Sequence, residues 1–142
     1  MNKCKFFENQ VKYWVKKVGL SPFIVKLDKR ITKYAAYVYS GVPNEIRYSP
    51  KHIPDCTKNQ IITLALHEIG HIKADTKYCR RWKREYKAEK FALEMIKKYL
   101  PTYYKEAIKD TKSYVVDYSK TREKWQLPYI KGFGKLVQEL EK

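Results

Sequence analysis

Two of the chain's three histidines, His67 and His71, stand four residues apart with Glu68 beside the first, inside the apolar run from Ile61 to Ile72. Four residues advance an α-helix by about 400°, so both imidazoles leave one face a single turn apart. Glu68 is rotated by about 100° from His67 and reaches beside their meeting point instead of onto it. Burying two imidazoles and a carboxylate without partners is costly, so a core helix that carries them must give them something to bind. With 3 His and 10 Glu in 142 residues, chance places only about 0.004 copies of H-E-x-x-H in such a chain. The arrangement is that of two ligands to one metal ion, with a base set beside the water that such an ion activates.

A catalytic zinc takes three protein ligands and leaves its fourth position open. The extended pattern with a third histidine is excluded, because Ala74 stands where its glycine would be and Lys77 where its histidine would be. Fourteen residues after His71 a second helical stretch brings Glu85, Ala88, Glu89 and Ala92 onto one stripe. Small alanines let such a stripe come close to a neighbouring helix, which makes Glu85 and Glu89 the candidate third ligands. The competing assignment for both acids is surface pairing with Arg81, Lys87 or Lys90.

Around these helices the pattern is mixed. Phe7, Val11, Trp14 or Val15, and Val18 recur at helical spacing up to Gly19, which predicts an N-terminal amphipathic helix. Three β-rich stretches follow, 23–27, 35–40 and 45–49, and predict a small antiparallel sheet. The third alternates polar and apolar residues between Pro43 and Pro50, which suits a sheet edge and makes 45–49 the candidate for pairing with an extended peptide. The H-E-x-x-H helix opens at Thr57 or Asn59, and the next runs from Trp82 to Leu100 before Pro101. A further helix is expected from Thr102 to about Lys112, with strand or loop over 114–118 and a short terminal helix over 133–140. The expected class is α+β, with residues 1–142 as one domain.

The chain carries a formal charge of +16, with 44% hydrophobic and 15% aromatic residues, so the charge sits on a protein with enough apolar mass to fold. No run is long and apolar enough to span a membrane or to form a secretory leader. Cys4, Cys56 and Cys79 are scattered singly, which points to a reduced, cytoplasmic setting. Between residues 73 and 90 eight cations face three acids, a block that attracts nucleic acid or acidic protein, or is simply a solvated helix face. His52, in a proline-flanked loop, reads as an ordinary exposed histidine, with an extra ligand or a transition-state donor as its other assignment.

The succession of small sheet, His67-Glu68-Ile69-Gly70-His71 helix, and a helix containing Glu85-Tyr86-Lys87-Ala88-Glu89-Lys90-Phe91-Ala92, then Met95-Ile96 and Pro101, resembles the ImmA/IrrE-type small zinc metallopeptidases of phages, mobile elements and bacteria. The resemblance covers roughly residues 20 to 101. It implies a minimal zincin fold in which a twisted sheet packs on the active-site helix, with a second helix behind. It further implies that His67, His71 and Glu85 hold Zn2+, that Glu68 is the catalytic base, and that Glu89 orients a ligating histidine from outside the metal shell. Glu89 is longer by a methylene than the Asp or Asn usual in such families, so the two acids' roles can be exchanged. The implied activity is endopeptidase cleavage of an intracellular protein, such as a regulator or repressor. The alternative is a zinc-containing basic module that binds nucleic acid or protein without cleaving it. A tyrosine, histidine or arginine is also expected to stabilise the oxyanion, and 13 tyrosines leave the choice open.

Overall fold

The computed structural model describes residues 1–142. Helix α1 (Lys3–Lys17) buries Phe7, Val11, Trp14 and Val15, the stripe expected from their spacing. It stops where Gly19 takes a φ of +77°, which turns the chain so that Leu20 N–H reaches Val15 O at 3.0 Å.

Three strands follow: β1 (Ile24–Leu27), β2 (Ala36–Tyr39) and β3 (Glu45–Tyr48). Their spatial order is β1-β3-β2, with β1 parallel and β2 antiparallel to β3. The sheet is therefore mixed, not antiparallel throughout, and the stretch expected at the edge is its centre. The prolines at 43 and 50 lie just outside β3 and bound it without removing a ladder donor. Its alternation is that of a sheet wet on one face: Ile46 and Tyr48 point into the core, while Glu45 and Arg47 point out and pair with Lys26 and Asp28.

The free edge that matters is β2. Ser49 N–H donates to Ala35 O at 2.8 Å, which makes residues 35 and 49 a hydrogen-bonded pair. By the alternation of an antiparallel ladder, Tyr37 and Tyr39 also bond to β3, and the main-chain groups of Ala36 and Val38 are turned away from it.

Helix α2 (Lys58–Lys73) opens with a capping box in which Thr57 Oγ1 accepts from Gln60 N–H and Gln60 Oε1 accepts from Thr57 N–H. Ile61, Ala65, Leu66 and Ile69 are fully buried against the inner face of the sheet, α1, and helix α3 (Arg81–Tyr99). A short turn over Pro101–Tyr103 leads to α4 (Tyr104–Thr121), and another over Lys124–Gln126 leads to α5 (Leu127–Leu140). Residues 114–118 are thus helical, not strand or loop, and α4 continues past Lys112. Its tyrosines and valines favour strands locally, but buried Ala107 and Thr111 and half-buried Tyr114 and Tyr118 recur at helical spacing and no breaker intervenes.

The terminal helix also begins earlier than expected, at Leu127, and contains both of its glycines. Gly132 faces the backbone of α3, where a Cβ would lie 2.4 Å from Trp82 O and 2.9 Å from Tyr86 N, whereas a Cβ on Gly134 would meet nothing within 4 Å. The class is α+β, 64% helical, and no helix is long and apolar enough to cross a membrane.

This contrast gives a test of how α5 is seated. Gly132→Ala should lower stability by about 1–3 kcal/mol through overpacking, and Gly134→Ala should raise it by about 0.5–1 kcal/mol through reduced unfolded-chain freedom. Urea unfolding midpoints of the two variants measure both, and equal effects would contradict the seating.

Candidate functional site

The site begins with how closely two helices meet. A Cβ on Gly70 would lie 2.9 Å from Ala88 O and 3.0 Å from Phe91 Cδ1, so α2 and α3 touch almost backbone to backbone. Ala88 and Ala92 are fully buried in this seam. Glu85 and Glu89 flank Ala88 on the same face, and at this separation their carboxylates reach the histidines of α2.

Glu85 faces both imidazoles: its Oε1 lies 3.1 Å from His71 Nε2 and its Oε2 3.4 Å from His67 Nε2. One ligand atom from each of His67, His71 and Glu85 lies within 4.8 Å of the others, close enough to share a single cation. Glu85 Oε2 is buried and makes no hydrogen bond, so one carboxylate lone pair is held in the interior without a partner.

The far side of each imidazole is committed elsewhere. His67 Nδ1 is 3.0 Å from Glu89 Oε1, and Thr111 Oγ1 donates to Glu89 Oε2 at 2.8 Å. His71 Nδ1 is 3.3 Å from Thr76 Oγ1, whose hydroxyl donates to His71 O at 3.0 Å. With Nδ1–H donated outward on both rings, both Nε2 lone pairs aim at Glu85. Thr76 reaches His71 because α2 ends with Asp75 in the left-handed region at φ 50°, which folds the next residue back over the last turn.

The charges are strongly coupled. Burial alone would push the His67 imidazole down, but the nearby carboxylates of Glu85 and Glu89 outweigh it and hold His67 well above its usual range. Burial would likewise raise Glu85, and the two histidines instead lower it to about 2. The space between these groups thus favours a positive charge. Glu68 has no such partner: burial raises it to about 8, opposed by His67 and helped by Glu85 and Glu89.

Two cavities meet at Glu68 and Tyr129. One is an open cleft of about 1210 Å³ between the sheet and α2, bordered by Ala36 and Val38 of the β2 edge and by His71 and Glu85. The other, of about 330 Å³, lies behind His67 and is walled by rings from Tyr114, Tyr118, Trp125, Tyr129 and Phe133. The Tyr129 ring stacks on His67 at 6.5 Å and 21°, and Phe133 meets the same imidazole edge-on at 5.7 Å. Burial, then the charges of Glu85 and Glu68, push the Tyr129 hydroxyl well above its usual pKa, so it remains a neutral donor.

The structure therefore places His67, His71 and Glu85 together, Glu68 beside them, and Glu89 behind His67. The stretch 45–49 does not border the free edge, and that position belongs to β2. His52 is half-buried, not exposed; it borders the second cavity but is not one of the clustered ligands, and its Nε2 is 2.8 Å from Thr32 O. Thr76, Thr111, Tyr129 and Phe133 have no spacing rule that marks them in the sequence as part of the site. The legible signal for the wall was Tyr114, Tyr118, Trp125, Tyr129 and Phe133 at mostly four-residue steps.

No family model, curated protein or solved structure matches the chain. Its own residues and their geometry are the guide to what it does.

Thr111 gives a test of the network that needs no metal. Thr111→Val keeps the volume but leaves one oxygen of the buried Glu89 carboxylate without its donor, and should cost about 1–3 kcal/mol in thermal or urea unfolding. A stability unchanged within error would show that Thr111 does not support Glu89.

Proposed function

We propose that this chain is a zinc-dependent endopeptidase with a minimal zincin-like fold, of the ImmA/IrrE type, acting on an intracellular protein such as a regulator. The observation that carries the reading is the convergence of two imidazole Nε2 atoms and one orphaned carboxylate oxygen, with a separate buried glutamate beside them, at the foot of an open sheet edge. Two nitrogens and one oxygen suit zinc, and three protein ligands leave a position for water, whereas a purely structural site is normally closed by four. His67, His71 and Glu85 would hold the ion, with Glu89 and Thr76 fixing the two rings.

Zinc held there supplies a Lewis acid for the scissile carbonyl and brings the pKa of water towards about 7. The substrate enters the cleft extended, bonding its main chain to the free N–H and C=O groups of Ala36 and Val38. Glu68 takes a proton from the attacking water and passes it to the departing amine. Tyr129 lines both cavities, and its hydroxyl donates a hydrogen bond to the oxygen of the tetrahedral intermediate. The ring-walled cavity behind His67 takes a side chain next to the cleaved bond.

Elemental analysis of the zinc-reconstituted chain, run beside mass-spectrometric mapping of cuts in a mixed peptide library, tests this. Wild type should hold about one zinc per chain and cut peptides. Glu68→Gln should keep the metal and lose about 10³-fold in kcat/KM, and Tyr129→Phe should keep it and lose about 10²-fold. A chain that binds no zinc overturns the reading. A chain that holds zinc without cutting any peptide points to the basic binding module instead.

A further inference from the structure

The open cleft has a charge character of its own. Arg30, Lys33 and Arg47 border it on the sheet side, and Lys77, Arg81 and Arg84 on the side of the α2–α3 connection. Setting aside Glu68 and Glu85, which belong to the site, the only acid among its lining residues is Asp75. With Glu68 and Glu85 left out of both counts, the cleft has six cations to one acid where the chain has 31 to 13.

These cations differ in how far they are already satisfied. Arg30 and Arg47 pair with Asp28, and Arg47 also with Glu45. Lys33, Lys77, Arg81 and Arg84 form no ion pair with any carboxylate. Arg84 is nonetheless held in place, its Nε donating to Cys79 O at 2.9 Å and its Nη2 to Lys77 O at 3.5 Å. Both walls above the β2 edge thus carry unneutralised positive charge, and low-dielectric walls of one sign concentrate ligands of the other.

We propose that the cleft receives an acidic, extended stretch of polypeptide, whose main chain lies along Ala36 and Val38 and whose Asp or Glu side chains meet the unpaired cations on either wall. That this stretch is a substrate rests on the peptidase reading. A protein ligand fits better than a nucleic acid because the sheet side of the cleft offers main-chain strand-pairing groups, which a phosphate backbone does not use.

The test uses the full chain carrying Glu68→Gln, so that binding is read without turnover, and a labelled peptide of about twelve residues with about four Glu beside its Gln analogue. Fluorescence anisotropy should give a Kd about tenfold lower for the Glu peptide at about 50 mM salt, with the contrast largely gone at about 500 mM. Adding Lys33→Gln, Lys77→Gln and Arg81→Gln should remove most of the contrast. The same number of charges removed at Lys12, Lys16 and Lys97, none of which borders the cleft, should leave it intact.

Equal affinity for both peptides overturns the proposal, as does an equal loss of contrast in the two triple variants, which would make the effect one of net charge. Single-stranded DNA of matched length that binds more tightly through the same three cations also overturns it, in favour of a nucleic-acid site. A parallel incubation of both peptides with the zinc-loaded wild type separates the two readings. Cutting without charge preference leaves the peptidase and removes the acidic cleft. A charge contrast in binding without cutting leaves the acidic cleft and removes the peptidase.

Discussion

The near-contact of α2 and α3 at Gly70 and Ala88 is the constraint on which the site depends. Glu85 and Glu89 are short enough that they reach His67 and His71 only if the two helices come together without side chains between them. A glycine inside the H-E-x-x-H turn and alanines at positions 88 and 92 provide that approach. Dispersion across so tight a seam, with apolar burial of Ile69, Leu93 and Ile96 alongside, offsets the desolvation of two carboxylates and an imidazole. The chemistry and the packing are therefore one feature, and a larger residue at Gly70 would disturb both.

What surrounds the seam explains why the chain continues past Pro101. Glu89 meets His67 with one carboxylate oxygen, and Thr111 of α4 supplies a hydrogen bond to the other. Tyr129 and Phe133 of α5 cover the exposed flank of His67. The close approach of α5 to α3 at Gly132 lets them do so. The last forty residues thus wall the imidazole–carboxylate network on one side, while the opposite side stays open along β2.

Most of the site was legible because it is local. H-E-x-x-H and the Glu85–Ala88–Glu89–Ala92 stripe are helical spacings, and the periodicity that buries them also aims them. Which acid faces both Nε2 atoms was not legible, since it depends on how the seam sets α3 along α2, and the structure puts Glu85 there and Glu89 at Nδ1. Strand order is a non-local property and is not legible there: the alternation of 45–49 describes a strand with one wet face and is silent on whether it has one neighbour or two. Helix α4 runs past Lys112 because the local β-propensity of Tyr114–Tyr118 yields to packing of one helical face against α5. Thr76 and Thr111 were missed because a hydroxyl that orients a charged group has no spacing rule of its own.

The central claim is that one divalent ion sits at the meeting point of two imidazoles and Glu85, and diffraction data collected on either side of the zinc absorption edge from crystals of the reconstituted chain address it directly. The account predicts a single anomalous peak about 2.0–2.2 Å from His67 Nε2, His71 Nε2 and a Glu85 carboxylate oxygen, with Glu89 still on His67 Nδ1. No peak, or one coordinated by Glu89 in place of Glu85 or lying at another group of side chains, would contradict it.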